Sequence, residues 1–188
     1  FTSWLRPARE TASDPSMIAV ESDTSSWTYG ELRERAGRVT AALRRRGVGG
    51  ESVVAVRTES LVELVTAMLG VLGAGGAFLV IDPAEPPARA RRILASAAPD
   101  LLLGGPAIHA LDPDVPYLSM GIVDADELPL VEGTRPDAGH LAYVAFTSGS
   151  SGAPKGVAVE RGAISRYVAV AGRAFSIASS ASNRRARS

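Results

Sequence analysis

The segment Thr147-Ser148-Gly149-Ser150-Ser151-Gly152-Ala153-Pro154-Lys155-Gly156 concentrates hydroxyls, glycines and the only lysine of a 188-residue chain. Every other basic side chain is an arginine. Such a loop suits a polyphosphate. Glycines let backbone N–H groups approach a ligand without a Cβ in the way, and Ser and Thr hydroxyls donate to phosphate oxygens. An ammonium on a flexible stem adds a compact point charge where a planar guanidinium would be harder to fit. The candidate phosphate-binding residues are therefore Thr147, Ser148, Gly149, Ser150, Ser151, Gly152, Lys155 and Gly156. No residue is singled out as catalytic, and none as a metal ligand.

Alternating elements must position this loop. Met17 to Ser22 reads as a strand and Ser26 to Tyr29 as a second, short one. Thr28 is placed as an N-cap with Glu31 three residues on, a capping-box spacing, and Leu32, Ala36, Val39 and Leu43 continue at helical intervals until Gly47. Ser52–Arg57 is a β-branched strand, and a helix begins near Ser60. Ala77–Ile81 is a buried strand, Pro86 or Pro87 opens a helix through Ala98, and Leu101–Leu103 is another buried strand. The pattern weakens from Ala107 to Gly139, where one strand is predicted near Tyr117–Val123. Leu141–Phe146 and Gly156–Val159 then flank the loop as strands, a helix follows from about Gly162 to Ala174, and residues 178–188 read as a disordered tail. Short connections between strands and helices predict an α/β fold with a largely parallel sheet.

The loop fails as a Walker-type P-loop. Its lysine follows Pro154 rather than glycine, no Ser or Thr comes after it, and the next segment is a strand. No dinucleotide fingerprint follows a first strand either. The geometry is strand, ten-residue loop, strand, and such a loop can fold over a phosphate tail as a lid.

Composition narrows the partners. Twenty acids balance twenty bases, so no nucleic-acid partner is indicated. The absence of cysteine rules out disulfides and thiolate metal sites and agrees with a cytoplasmic location. Leu64–Ile81 is an uncharged run of eighteen residues, but its four glycines split it into helix, turn and strand rather than a membrane span. His109 and His140 are isolated and read as structural or surface residues. Arg44-Arg45-Arg46 reads as an exposed, dipole-compatible helix end. Trp4, Trp27 and Tyr29 are expected to pack under the N-terminal hairpin.

Residues 141–157, LAYVAFTSGSSGAPKGV, resemble the signature loop of the adenylate-forming enzymes, which include acyl-CoA synthetases, luciferases and the adenylation domains of nonribosomal peptide synthetases. Trp27-Thr28-Tyr29-Gly30-Glu31-Leu32 is similar to the first core motif of the peptide synthetase group, and residues 72–83, LGAGGAFLVIDP, to the second. The motifs occur in family order. Gly73 stands where the second motif usually has lysine, Phe146 where tyrosine is frequent, and Arg161 where many members have histidine.

The resemblance implies the N-terminal part of the adenylate-forming fold over residues 1–177, incomplete relative to the family's much longer chains. It implies Mg2+ and ATP as cofactors, an amino-acid or other carboxylate substrate, and a carrier protein bearing phosphopantetheine. The loop would close over the β- and γ-phosphates. The segments that hold adenine, ribose and the substrate carboxylate in the family lie outside the resemblance, as does its distant lysine. These residues alone are therefore expected to be inactive. The alternative is a truncated remnant or a structural half that pairs with a complementary polypeptide.

Overall fold

The structure, a computed structural model, describes residues 14–22, 25–125, 137–147 and 154–167. A two-stranded antiparallel hairpin, β1 (Ile18–Glu21) and β2 (Ser26–Thr28), leads into helix α1 (Tyr29–Arg45). β3 (Val53–Arg57), α2 (Leu61–Ala74), β4 (Ala77–Val80), α3 (Pro87–Ala97) and β5 (Leu101–Gly104) follow. Then come α4 (Pro106–His109), β6 (Tyr117–Ser119), α5 (Met120–Ala125), β7 (Leu141–Thr147) and β8 (Lys155–Glu160). Residues 161–167 are helical.

The main sheet runs β6-β5-β3-β4-β7-β8, with five parallel strands and an antiparallel edge at β8. Its central strands read as unbroken apolar runs because both faces are covered. Val54, Val56, Phe78, Leu101 and Leu103 pack with Val39, Leu43, Ala67 and Val71 of α1 and α2. Ala55, Leu79 and Leu102 point the other way, onto Ala90, Ile93 and Leu94 of α3 and Ile108 of α4. Crossovers of one hand explain the split: the chain moves one way across the sheet from β3 to β4 and back the other way from β4 to β5.

Local chemistry fixes the boundaries. The capping box at Thr28 and Glu31 forms in both directions, and Ser60 caps α2. Gly75, at φ +103°, ends α2 in the left-handed region that glycine enters freely. Gly104 sits at φ +152°, and a Cβ there would stand 2.0 Å from the Arg57 carbonyl oxygen.

Two expectations need correction. The strand read near Tyr117–Val123 is only β6, and its second half is α5. Met120 and Val123 are buried beside α1's core residues while Ile122 is 55% exposed, a three-residue rather than two-residue period. The region after Leu103 also forms α4, with Pro106 at its first position, where no amide is needed. The expected continuation of the last helix to Ala174 and the tail 178–188 lie outside the described residues, as does Trp4. Among the described residues no helix is long and apolar enough to cross a membrane.

Candidate functional site

Thr147 ends β7 at the carboxyl edge of the parallel sheet, and Lys155 begins β8 directly opposite it. Facing residues of an antiparallel pair project to the same side with Cβ atoms about 5 Å apart. The Thr147 hydroxyl and the Lys155 ammonium thus flank the stem of the loop on one face, both exposed. Phe146 and Gly156 form the next pair, on the other face. A Cβ on Gly156 would approach the Phe146 ring to 3.1 Å, so glycine lets that ring lie across β8. The structure brings Thr147, Lys155 and Gly156 together. Ser148, Gly149, Ser150, Ser151 and Gly152 lie outside the described residues.

Ligands of open α/β sheets gather at carboxyl edges, above all where neighbouring crossovers leave for opposite faces. Here that point lies between β3 and β5, from which the chain leaves in opposite directions to β4 and to β6, and Arg57 at the end of β3 stands beside it. Its guanidinium donates to the Pro83 carbonyl at 2.8 Å and to the Ala107 carbonyl at 3.5 Å. The side chain ties the ends of three parallel strands together, and the phosphate-type loop stands one strand beyond.

At the opposite, amino edge the hairpin is held by a side chain the sequence did not mark as structural. Arg161 is wholly buried. Its Nε donates to the Leu141 carbonyl at 3.0 Å, Nη1 to the Leu72 carbonyl at 3.1 Å, and Nη2 to the Gly76 carbonyl. Burial pushes this guanidinium below its ordinary pKa, and the negative charge of Glu51 acts against that shift. Glu51 itself, at φ +68°, accepts from the Leu141 amide at 3.4 Å. Leu141 sits where a register irregularity interrupts the β7–β8 ladder, so two side chains meet its backbone groups.

The α2 C-terminus explains the rest of this arrangement. Its last turn contains no basic residue of its own. Arg161 reaches Leu72, and Arg44 from α1 donates to the Gly73 carbonyl at 3.0 Å. Two cations from elsewhere thus cap the negative end of the helix. Arg44 is accordingly half-buried against α2 rather than part of an exposed end. Trp27 is half-buried, with the Arg35 guanidinium 4.1 Å above its ring. His109 stacks on Tyr117 at 5.0 Å. Among the described residues no group of three His, Cys, Asp or Glu side chains stands close enough to hold a metal ion. An open depression lined by Arg46, Ser52, Asp100 and Pro116 lies at the amino ends of β3 and β5, the far edge from the loop.

A parallel sheet with helices on both faces, ended by a hairpin whose Thr147–Lys155 stem lies at the carboxyl edge, is the N-terminal part of the adenylate-forming fold. The chain belongs to the AMP-binding enzyme family, whose pattern it matches over residues 7–183. It is 41% identical over 159 residues to one component of the plipastatin synthase of Bacillus subtilis, across 81% of this chain and 6% of that one. To phenyloxazoline synthase MbtB of Mycolicibacterium paratuberculosis it is 40% identical over 177 residues, 90% of this chain and 15% of that one. A crystal structure of the nonribosomal peptide synthetase FmoA3, in its alpha-methyl-L-serine-AMP bound form, superposes with a TM-score of 0.74 at 32% identity, covering 85% of this chain and 18% of that one. The chain therefore spans a small fraction of the relatives it matches.

Proposed function

We propose that these residues are the phosphate-gripping portion of an amino-acid adenylation domain of the nonribosomal peptide synthetase type. The parent reaction joins a carboxylate to the α-phosphate of ATP, releasing pyrophosphate and leaving an acyl-adenylate. A phosphopantetheine thiol on a carrier protein would then displace AMP. Likeness to peptide synthetases supports amino-acid adenylation at the level of the family.

The observation that carries the reading is the Thr147–Lys155 pair at the stem of the loop. A hydroxyl donor and an ammonium on one exposed face fit a magnesium-bound polyphosphate, and Ser148 to Gly152 would add hydroxyls and amide N–H groups. Lys155 would contribute a charge-assisted hydrogen bond of about 1.5–3 kcal/mol. Calorimetric titration of the chain with MgATP is the test. Lys155→Ala should weaken binding by about tenfold or more. Equal affinity in the two proteins would refute the assignment. Amino-acid-dependent pyrophosphate exchange by these 188 residues should not exceed that of the Lys155→Ala control. Catalysis also requires the substrate carboxylate held in line with the α-phosphate.

A second reading, a structural half that pairs with a complementary polypeptide, is favoured by one feature. Among the described residues β8 forms the edge of the sheet, and almost all of its residues are exposed.

A further inference from the structure

We propose that Arg161, with Glu51, is a positioning residue: a latch that sets the lean of the β7–β8 hairpin against the parallel sheet and so places its Thr147–Lys155 stem. The acceptors of Arg161 belong to three separate pieces of chain. Leu72 lies in the last turn of α2, Gly76 in the turn into β4, and Leu141 at the start of β7. Its own backbone amide is bound by the His140 carbonyl at 2.9 Å. Glu51 brings in the turn before β3 through the Leu141 amide. Elsewhere β7 is joined to β4 by a short register, Phe78 with Tyr143 and Leu79 with Val144. The base of the hairpin is thus held by these side chains together with backbone bonds, Arg161 to His140 and the Gly162 amide to the Ala138 carbonyl at 2.8 Å.

The lever is long. β8 spans the six residues from Lys155 to Glu160, so the latch works from about 20 Å away. Over that arm a tilt of about 5° at the base moves the stem by about 1.7 Å, and displacement of about 1 Å at a reacting group can cost about a hundredfold. The resemblance gives histidine at this position in many relatives. An imidazole cannot reach three carbonyls at once, whereas the guanidinium fork has five N–H donors.

The functional meaning of the latch rests on the phosphate-loop reading, but its existence is tested apart from it. Hydrogen exchange would be followed on the full chain carrying Arg161→Lys, Arg161→Met or Glu51→Gln, and each protein then titrated with MgATP. Arg161→Lys puts a point charge in place of the fork. It should speed exchange in peptides covering 141–147 and 155–160 by about tenfold while α1 and β5 stay unchanged. MgATP affinity should fall by about fivefold, because the Thr147–Lys155 stem then samples positions that do not bind. Glu51→Gln keeps an acceptor oxygen and should give a smaller change in the same peptides, a safeguard if the Arg161 variants fold poorly. Unchanged hairpin exchange, or acceleration spread equally through α1 and β5, would overturn the latch. Accelerated hairpin exchange with full MgATP affinity would overturn its positioning role. If the unmodified chain ignores MgATP, the phosphate reading fails, and exchange alone decides whether Arg161 holds the hairpin.

Discussion

Glu31 shows how much one side chain can fix through neighbours in sequence. Its carboxylate accepts from the Thr28 amide at 2.8 Å and the Thr28 hydroxyl at 2.9 Å, while the Thr28 hydroxyl accepts from the Glu31 amide at 3.2 Å. The Thr28 backbone bond, then its hydroxyl, hold the Glu31 pKa below the ordinary glutamate value. A carboxyl depressed in the folded state stabilises above its unfolded pKa and loses that contribution as pH falls through the folded one. The unmodified chain should therefore unfold at higher temperature than Glu31→Gln near neutrality, with the gap closing in acid. A gap independent of pH would contradict this account. The box was legible in the sequence because its partners stand three residues apart. Arg161 was not: its acceptors at Leu72 and Gly76 lie 89 and 85 residues away, and only the fold brings them to it. Likewise, Lys155 and Gly156 could be picked out by composition, but their pairing with Thr147 and Phe146 follows from the register of the hairpin.

The helices depend on one close approach between α1 and α2. Gly70 faces Val39, and a Cβ added at Gly70 would stand 2.3 Å from Val39 Cγ1. The Thr40 hydroxyl, wholly buried, lies 2.9 Å from the Ala36 carbonyl and 3.1 Å from the Gly70 carbonyl, giving this contact a polar clasp. Val39 is β-branched and stiff in a helix, so it cannot swing aside. Gly70→Ala should destabilise the chain by about 1–3 kcal/mol through overpacking, partly offset by about 1 kcal/mol of helix propensity. Gly49→Ala, where no atom lies within 4 Å of the added Cβ, should be close to neutral. Urea midpoints at unchanged m-values would separate the two, and equal midpoints would remove the close approach from the argument. Most elements could be read beforehand, since caps and apolar periods are local. The stretch 117–123 misled because Tyr117, Leu118, Met120, Ile122 and Val123 fit either period, and burial against α1 decides for α5 only once the sheet exists.

At the scale of the molecule, the interior of the sheet and its β8 edge differ. The middle of β3 and the whole of β5 are buried, whereas β8 is exposed along nearly all of its length. Tyr143 pairs with both Phe78 and Val159, and Ala145 with Val157, so the two-residue period places Val80, Ala145 and Val157 on one face. Val80 is 39% and Val157 50% exposed, and Ala145 is exposed beside them. The parallel sheet was anticipated from its alternating elements, but this asymmetry was not, because Val157 and Val54 look alike in sequence and differ only in what covers them. An edge strand with unpaired backbone groups and apolar side chains invites association. The chain by itself should therefore enhance the fluorescence of a hydrophobic dye and grow in apparent mass with concentration. Replacing Val80 and Val157 together with Thr should reduce both effects while leaving the unfolding midpoint within about 1 kcal/mol, since partly exposed positions contribute little to the core. A dye-silent monomer at all concentrations would count against the complementary polypeptide and leave the phosphate loop to stand on MgATP binding alone.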